Sequence, residues 1–317
     1  MASGTWRITL HAARGVDFDG GHTTTQGLDP MGAVVVVPLH RHEVSLDFVR
    51  FEAVGSYAVA DDCELTLRLP YDVKDRRAAV RLVDPATPDE IAAMEANLAI
   101  HHPSERLEGV SDATLLVTWY RTDAAVDGDG LHVSVGTTLP IGRTEEDPYE
   151  LGDEGEPHEH VQFGTGTFDP VVEASYRRGL APGVAVAVSF AARASLYENR
   201  HGYRGPFEAT LTPRLDVDLS ERLTLHAGAA IYFQGRAAWS GVRDENTGVL
   251  ALSGLVGVGW RVGPSTTVSA DLLLPVAQHV FDDESDGFEP GPVLFVGVSA
   301  GVGPQGARSD GATPSFP

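Results

Sequence analysis

Between Pro206 and Gly235 the sequence alternates apolar and polar residues along two stretches separated by a very tight turn. Phe207, Ala209, Leu211, Pro213, Leu215, Val217 and Leu219 share one parity, and Glu208, Thr210, Thr212, Arg214, Asp216 and Asp218 share the other. Past Ser220 and Glu221 the pattern resumes. Leu223, Leu225, Ala227, Ala229, Ile231 and Phe233 now oppose Arg222, Thr224, His226, Gly228, Tyr232 and Gln234. Successive side chains of a strand point to opposite faces, so this period of two predicts paired strands with one apolar and one charged side. Strands of ordinary proteins run to about five or six residues. These are longer and reach the roughly 9–11 tilted residues that cross a bilayer.

Other features of the chain agree with a barrel. Its 317 residues include 35 Gly and 20 Pro, which favours strands and turns over helices. No apolar run approaches the roughly 18 residues of a membrane helix, but barrel strands spread their hydrophobicity over alternate positions. The single cysteine, Cys63, rules out an intrachain disulfide and a Cys-based metal site; it reads as a small hydrophobe on a strand. A net charge of −22 argues against a nucleic-acid partner, because phosphates need a basic surface. The carboxylates gather in Glu145–Glu159 and Asp282–Glu289, between the strand patterns, where they read as solvated loops. An exported chain is expected to open with a basic stretch, an apolar core and a cleavage site, a pattern that Met1–Gly20 does not show.

Taken in order, alternation predicts strands at Thr5–His11, Val44–Ala60, Cys63–Pro70, Asp112–Thr122, Leu131–Ile141, Phe168–Arg178 and Gly183–Tyr197. The opening hairpin follows, and then Val249–Val262, Thr266–Ala277 and Pro292–Val302. In Val44–Ala60 the apolar parity changes from Val44, Leu46 and Phe48 to Gly55, Tyr57 and Val59, which predicts a bulge near Phe51. Thr87, Pro88 and Glu90 form a capping-box signature, followed at helical spacing by Ile91, Met94 and Leu98, so one short helix is expected there. Short connections near Ala60, Asp127, Ala181, Ser220 and Gly263 alternate with long ones, the longest at about 13–43, 71–110 and 142–167. The expected architecture is therefore all-β: one domain over residues 1–302, a transmembrane antiparallel up-and-down β-barrel of about 12 strands, with a polar tail at 303–317. A soluble sandwich has no reason to keep its long loops at one end.

In such a barrel Val184, Val186, Val188, Phe190, Ala192, Ala194 and Leu196, with Leu250, Leu252, Val256, Val258 and Trp260, face lipid. The candidates for the lumen wall are Glu64, Arg68, Arg193, Glu208, Arg214, Asp216, Arg222, His226, Arg261 and Asp271. Segregation alone does not make them functional. A bare charge in hydrocarbon costs about 2–4 kcal/mol, so any barrel turns its charges inward, and mixed signs can simply brace the wall as ion pairs.

Four segments resemble the outer-membrane channel-like family named after the meta-pathway of phenol degradation: Tyr57–Pro70 (YAVADDCELTLRLP), Glu108–Tyr120 (EGVSDATLLVTWY), Leu131–Gly142 (LHVSVGTTLPIG) and Phe163–Tyr176 (FGTGTFDPVVEASY). In that family a strand ending in Leu-Pro precedes a long loop, a Gly-hydrophobic-x-Asp start opens the next strand, and Gly-Thr-Gly-x-x-Asp opens a later one. The likeness spans most of Val44–Val302. It implies a bacterial outer-membrane barrel passing hydrophobic or aromatic compounds, and it brings no catalytic residues. The chain departs from it in ending its last strand at Val302 and Gly303 without a terminal aromatic.

Other chemistry finds less support. The pairs His40/His42, His101/His102 and His158/His160 lie in expected loops near acidic residues; His158 and His160 are the metal-ligand candidates, with no third ligand evident. No nucleophile, base and orienting acid can be assembled, and the Gly-rich segments lack the strand-to-helix context of a phosphate loop. The sequence thus predicts a non-enzymatic outer-membrane channel for small hydrophobic or aromatic solutes, its partners being membrane lipid and the solute, with no cofactor. The loop Tyr71–Val110 or the segment Ala13–Glu43 would narrow the outer mouth. The alternative is a non-transporting envelope β-protein whose acidic, His-containing loops bind a partner or a metal. The oligomeric state is left open.

Overall fold

The computed structural model describes residues 2–156, 158–159, 161–281 and 288–302. Its strands are β1 (Trp6–Gly20), β2 (Val34–Ala60), β3 (Cys63–Leu82), β4 (Ala113–Thr122), β5 (Gly130–Leu139) and β6 (Pro170–Ala181). They continue with β7 (Val184–Arg193), β8 (Glu208–Asp218), β9 (Leu223–Gln234), β10 (Val249–Arg261), β11 (Thr266–Val280) and β12 (Val293–Val302). Each pairs antiparallel with the next, and β12 returns to β1 from Trp6↔Val302 to Gly15↔Val293, which closes a ring of 12 strands. Closure leaves no unpaired sheet edge, the condition for strands in hydrocarbon.

Alternation sets the two surfaces. On β12 Leu294, Val296 and Val298 are nearly half exposed while Val293, Phe295 and Ser299 are buried. The same split recurs on β1, where Ile8 and Leu10 are exposed and Thr9 and Ala13 buried, and on β3, where Leu65, Leu67 and Leu69 oppose Glu64 and Thr66. The exposed set forms an aliphatic belt around the ring. Trp6, with the half-buried Tyr57 packed on it, Trp119 and Trp260 mark its short-turn end; Phe51 and Tyr71, paired across β2 and β3, mark the other. From Phe51 to Tyr57 is six residues, about 20 Å of strand at 3.3 Å each, near the roughly 25 Å band of membrane barrels. Among the described residues no helix is long and apolar enough to cross a membrane.

The expected loops at 13–43 and 71–110 are only partly loops. β1 runs on to Gly20, β2 begins at Val34, and β3 extends to Leu82, so β2 and β3 pair from His40↔Leu82 down to Ala60↔Cys63. Short strands Thr23–Leu28 and Glu105–Val110 flank this extension. The bulge expected near Phe51 is absent: pairing is continuous from His40 to Ala58. The apolar parity changes there because the inward face of β2 is itself apolar at the loop end (Val44, Leu46, Phe48) and polar toward the turn end (Arg50, Glu52, Ser56). Irregularities lie instead between Gly15 and Phe18, where Asp17 has a φ of 56°, on β11, where Val276 is left without a partner opposite Leu252/Ser253, and next to the turns at Ala58/Ala60 and Gly179/Ala181. Strand β7 stops at Arg193, so Ala194 and Leu196 lie beyond the wall.

Two helices occupy the long connections, one more than expected. α1 (Pro88–His101) has the anticipated capping box, Thr87 accepting from the Glu90 N–H and Glu90 accepting from the Thr87 N–H. The Thr87 N–H and the Thr87 hydroxyl, both donating to the Glu90 carboxylate, hold that carboxyl below its ordinary range. α2 (Pro148–Asp153) starts at an Asp147 cap with Pro148 at the first position, a signal legible in the sequence but hidden inside an acidic run.

Candidate functional site

The barrel interior has two unlike sectors. The first is charged. From β2 to β8, inward side chains form close pairs: Arg50 with Asp72 (2.6 and 2.7 Å), Arg68 with Glu173 (2.6 and 2.8 Å), and Arg193 with Glu208. Arg68 reaches across two strands, from β3 to β6, and Arg7 reaches from β1 over β2 to Glu64 at 3.2 Å. Glu64 also accepts from the Tyr120 hydroxyl and Thr66, and Glu208 from Tyr232 and Gln234. Asp216 lies 2.9 Å from Arg214, a contact with ion-pair but not hydrogen-bond geometry, and 3.3 Å from Arg177. His226 on β9 meets Asp271 on β11 across Gly257 of β10. A side chain at Gly257 would overlap both partners, so the glycine makes room for the bridge.

The second sector is apolar. Ala13, Ala230, Leu255, Leu273, Val293 and Phe295 are buried together, with Phe18 and Phe48 packed against them. Leu255↔Leu273, Leu273↔Val293, Phe295↔Ala13 and Gly15↔Phe48 are register neighbours, so the patch runs without a break from β9 through β12 to β1 and β2. Sequence reasoning missed it, because it looked for polar residues on the inner face. The signal was present as alternate apolar residues on both parities of β10–β12.

Of the sequence-predicted wall residues, Glu64, Arg68, Arg193, Glu208, Arg214, Asp216, His226 and Asp271 lie on the inner face, each engaged as described. Arg222 sits in the exposed turn after β8, outside the strands, and Arg261 is exposed at the turn end of β10, paired with Thr267 and donating its N–H to the Arg222 carbonyl. Arg7, Arg50, Asp72, Glu173 and Arg177, which sequence reasoning omitted, complete the charged sector.

The loop segments that carry the family resemblance converge on one knot. Asp112 accepts the N–H of Gly142 (2.9 Å) and of Thr165 (2.8 Å); Asp169 accepts from the hydroxyls of Thr165 and Thr167 and donates its N–H to Thr138. Thr138, Thr167 and Asp169 are at most 1% exposed. A Cβ at Gly164 would collide with the Asp112 carboxylate, which explains the glycine there. These residues thus tie the loop ends of β4, β5 and β6 together.

Loops draw over the same end. Arg76 joins Glu159 (2.6 Å) and Glu105 (2.7 Å), Lys74 donates to the Gln162 carbonyl, and the Tyr149 hydroxyl donates to Asp244. Burial and a hydrogen bond with Glu159 push the Glu105 carboxyl above its ordinary range. At the opposite end, burial pushes the Asp129 carboxyl up. The Tyr176 hydroxyl and the N–H groups of Val126, Ala125 and Ala124 outweigh it, and Asp129 titrates below its ordinary range. Of the metal candidates, His158 is buried and its Nδ1 meets the Glu156 carbonyl, whereas His160 lies outside the described residues.

No family model matches the chain, and no curated protein does. Among solved structures it is similar to an outer membrane channel from Pseudomonas putida F1, with a TM-score of 0.59 and 13% identity over 95% of this chain and 97% of that one. The transport unit of the autotransporter AIDA-I from Escherichia coli aligns at 0.45 with 8% identity, over 93% and 89% of the two chains. The Ralstonia pickettii toluene transporter TbuX aligns at 0.40 with 8% identity, over 95% and 90%. The first of these likenesses is one of fold.

Proposed function

We propose that the chain is a bacterial outer-membrane barrel that lets small hydrophobic or aromatic solutes pass by diffusion, without a catalytic step or cofactor. One observation carries this reading: the apolar sector inside the ring, six buried residues with Phe18 and Phe48 against them. In a barrel that served only as a scaffold such a strip would add packing stability, and in one that passed ions it would offer the ion no ligand. A neutral aromatic solute does gain, because it loses water against Phe295, Leu255 and Phe48. The exposed aliphatic belt supports the membrane setting. In water it would be a large apolar patch, and in hydrocarbon it is at home.

In this mechanism the charged sector has a supporting part. The pairs Arg50–Asp72, Arg68–Glu173 and Arg193–Glu208 engage each other directly, so they brace the wall. Selectivity comes from the apolar strip and from the loops Ala13–Glu43, with its strand extension, and Leu82–Ala113, with α1, at the mouth. The similar channel of known structure is described as an outer membrane channel, which agrees with this reading.

Uptake tests it. In a Gram-negative host depleted of its own porins, expression should raise the initial uptake rate of a labelled neutral monoaromatic several-fold and leave a dicarboxylate unchanged. Equal aromatic uptake with and without the protein, once it is found folded in the outer-membrane fraction, would overturn the reading.

A further inference from the structure

Six histidines gather at the loop end of the barrel, and the transport reading uses none of them: His22, His40, His42, His101, His102 and His158. Three of them converge. One ring nitrogen from each of His22, His42 and His102 lies within 4.8 Å of the other two, and the rings stand 5.2, 5.7 and 5.8 Å apart. They come from three elements: His22 follows β1, His42 lies on β2 on the inward parity of Val44, and His102 caps the C-terminus of α1.

The backbone holds each in place. The His42 N–H donates to the His22 carbonyl at 2.9 Å, and the His102 N–H donates to Leu98 at 2.7 Å. Gly21, with a φ of 128°, lets the chain turn so closely against β2 that a Cβ there would strike the His42 carbonyl. At Gly27 the strand Thr23–Leu28 approaches α1 at Ala93, which keeps the helix end beside β2.

His40 sets the tautomer of His42. Its Nδ1 lies 3.0 Å from the Pro38 carbonyl, which only accepts, so that nitrogen carries the proton. Nε2 of the neutral ring is then an acceptor, and His42 Nε2, at 3.2 Å, donates to it. The lone pair of His42 is thereby placed on Nδ1. A ligand imidazole backed by a hydrogen bond from its other nitrogen is the usual arrangement at metal centres.

We propose that His22, His42 and His102 form a binding site for a divalent transition-metal ion of the zinc or copper class. Three neutral imidazoles suit these ions; calcium and magnesium require oxygen donors. Metal–nitrogen bonds of about 2.0–2.1 Å place tetrahedral ligand atoms about 3.3 Å apart, so small side-chain rotations bring the three nitrogens in. The ion fastens the end of α1 to β1 and β2 and fixes the helix at the mouth.

The test uses the full chain refolded in detergent, with folding checked by heat-dependent gel mobility. Zinc chloride is titrated in competition with a chromophoric chelator. One equivalent should bind to the wild type; H22A and H102A should each weaken it at least about tenfold, and H158A should leave it unchanged. With copper, nitrogen hyperfine structure in electron paramagnetic resonance should report three imidazoles in the wild type and fewer in H22A. Absence of a saturable equivalent in folded wild type overturns the proposal, as does binding that survives H22A and H102A intact or is lost in H158A.

Discussion

Replacing Gly257 with alanine isolates one bridge in the wall. The added Cβ would fall well inside the 3.0 Å that real Cβ atoms keep, against both His226 Nε2 and Asp271 Oδ1, and 2.9 Å from the Ala270 carbonyl. The two side chains are each 11% exposed, so the displaced groups are not freely rehydrated. A hydrogen bond to a charged group contributes about 1.5–3 kcal/mol net. Alanine returns roughly 0.5–1 kcal/mol by restricting the unfolded chain and by the better strand propensity of a side chain. The expected net loss is about 1–2 kcal/mol. Gly259 supplies the control: it lies on the same strand and parity, and nothing approaches its Cβ position within 4 Å, so G259A should be neutral or slightly stabilising. Urea-driven unfolding from lipid vesicles measures both. In the H226A background the part of the cost that comes from breaking the bridge should vanish, leaving the contact with the Ala270 carbonyl. If G257A is as stable as G259A, the bridge does not exist as described and the reasoning fails.

Other perturbations follow the same logic. D112A removes the acceptor for the Gly142 and Thr165 N–H groups in a buried knot, and should lower unfolding free energy by about 2–4 kcal/mol, read from the same urea titration. T87A breaks the capping box of α1 and should raise hydrogen exchange in Ile91–Leu98 by the equivalent of about 1 kcal/mol while leaving strand amides protected. For Asp129, whose folded-state titration is depressed below 3.8, the stabilising effect is present above that pH and lost as pH falls through the folded-state value. The stability gap between wild type and D129N should therefore be open at pH 6 and close on strong acidification; a gap constant with pH would contradict the assignment.

How far the sequence revealed this fold depended on where each residue stands. Within the hydrocarbon band, the two faces of a strand meet lipid and a polar wall, so β7, β8 and β9 announce themselves by alternation. Beyond it both faces meet polar surroundings, and the segment Tyr71–Leu82, with Asp72, Lys74, Asp75, Arg76 and Arg77 on both parities, reads as loop although it is strand. The same limit made β2 look bulged, since its inward face turns from polar to apolar where Phe48 joins the inner strip. Charges were legible as inward-facing, but their pairing was not. Arg68 and Glu173 are 105 residues apart, and it takes the successive pairing of β3, β4, β5 and β6 on one curved wall to bring them together. The histidine pairs were visible one by one. What joined His22 to His42 and His102 was the turn at Gly21 and the docking of α1, neither of which has a short-range signature.

The central claim is that solutes travel along the apolar sector of the interior. Ala230 lies in that sector, 4% exposed, and A230W would add an indole to the strip that Leu255 and Leu273 share. The decisive measurement is the initial uptake rate of a neutral monoaromatic in porin-depleted cells carrying wild type or A230W at equal outer-membrane levels, both with heat-dependent gel mobility. The account predicts that A230W returns uptake to the level of cells without the protein. Uptake by folded A230W equal to that of wild type would show that solutes do not pass along this strip, and would contradict it.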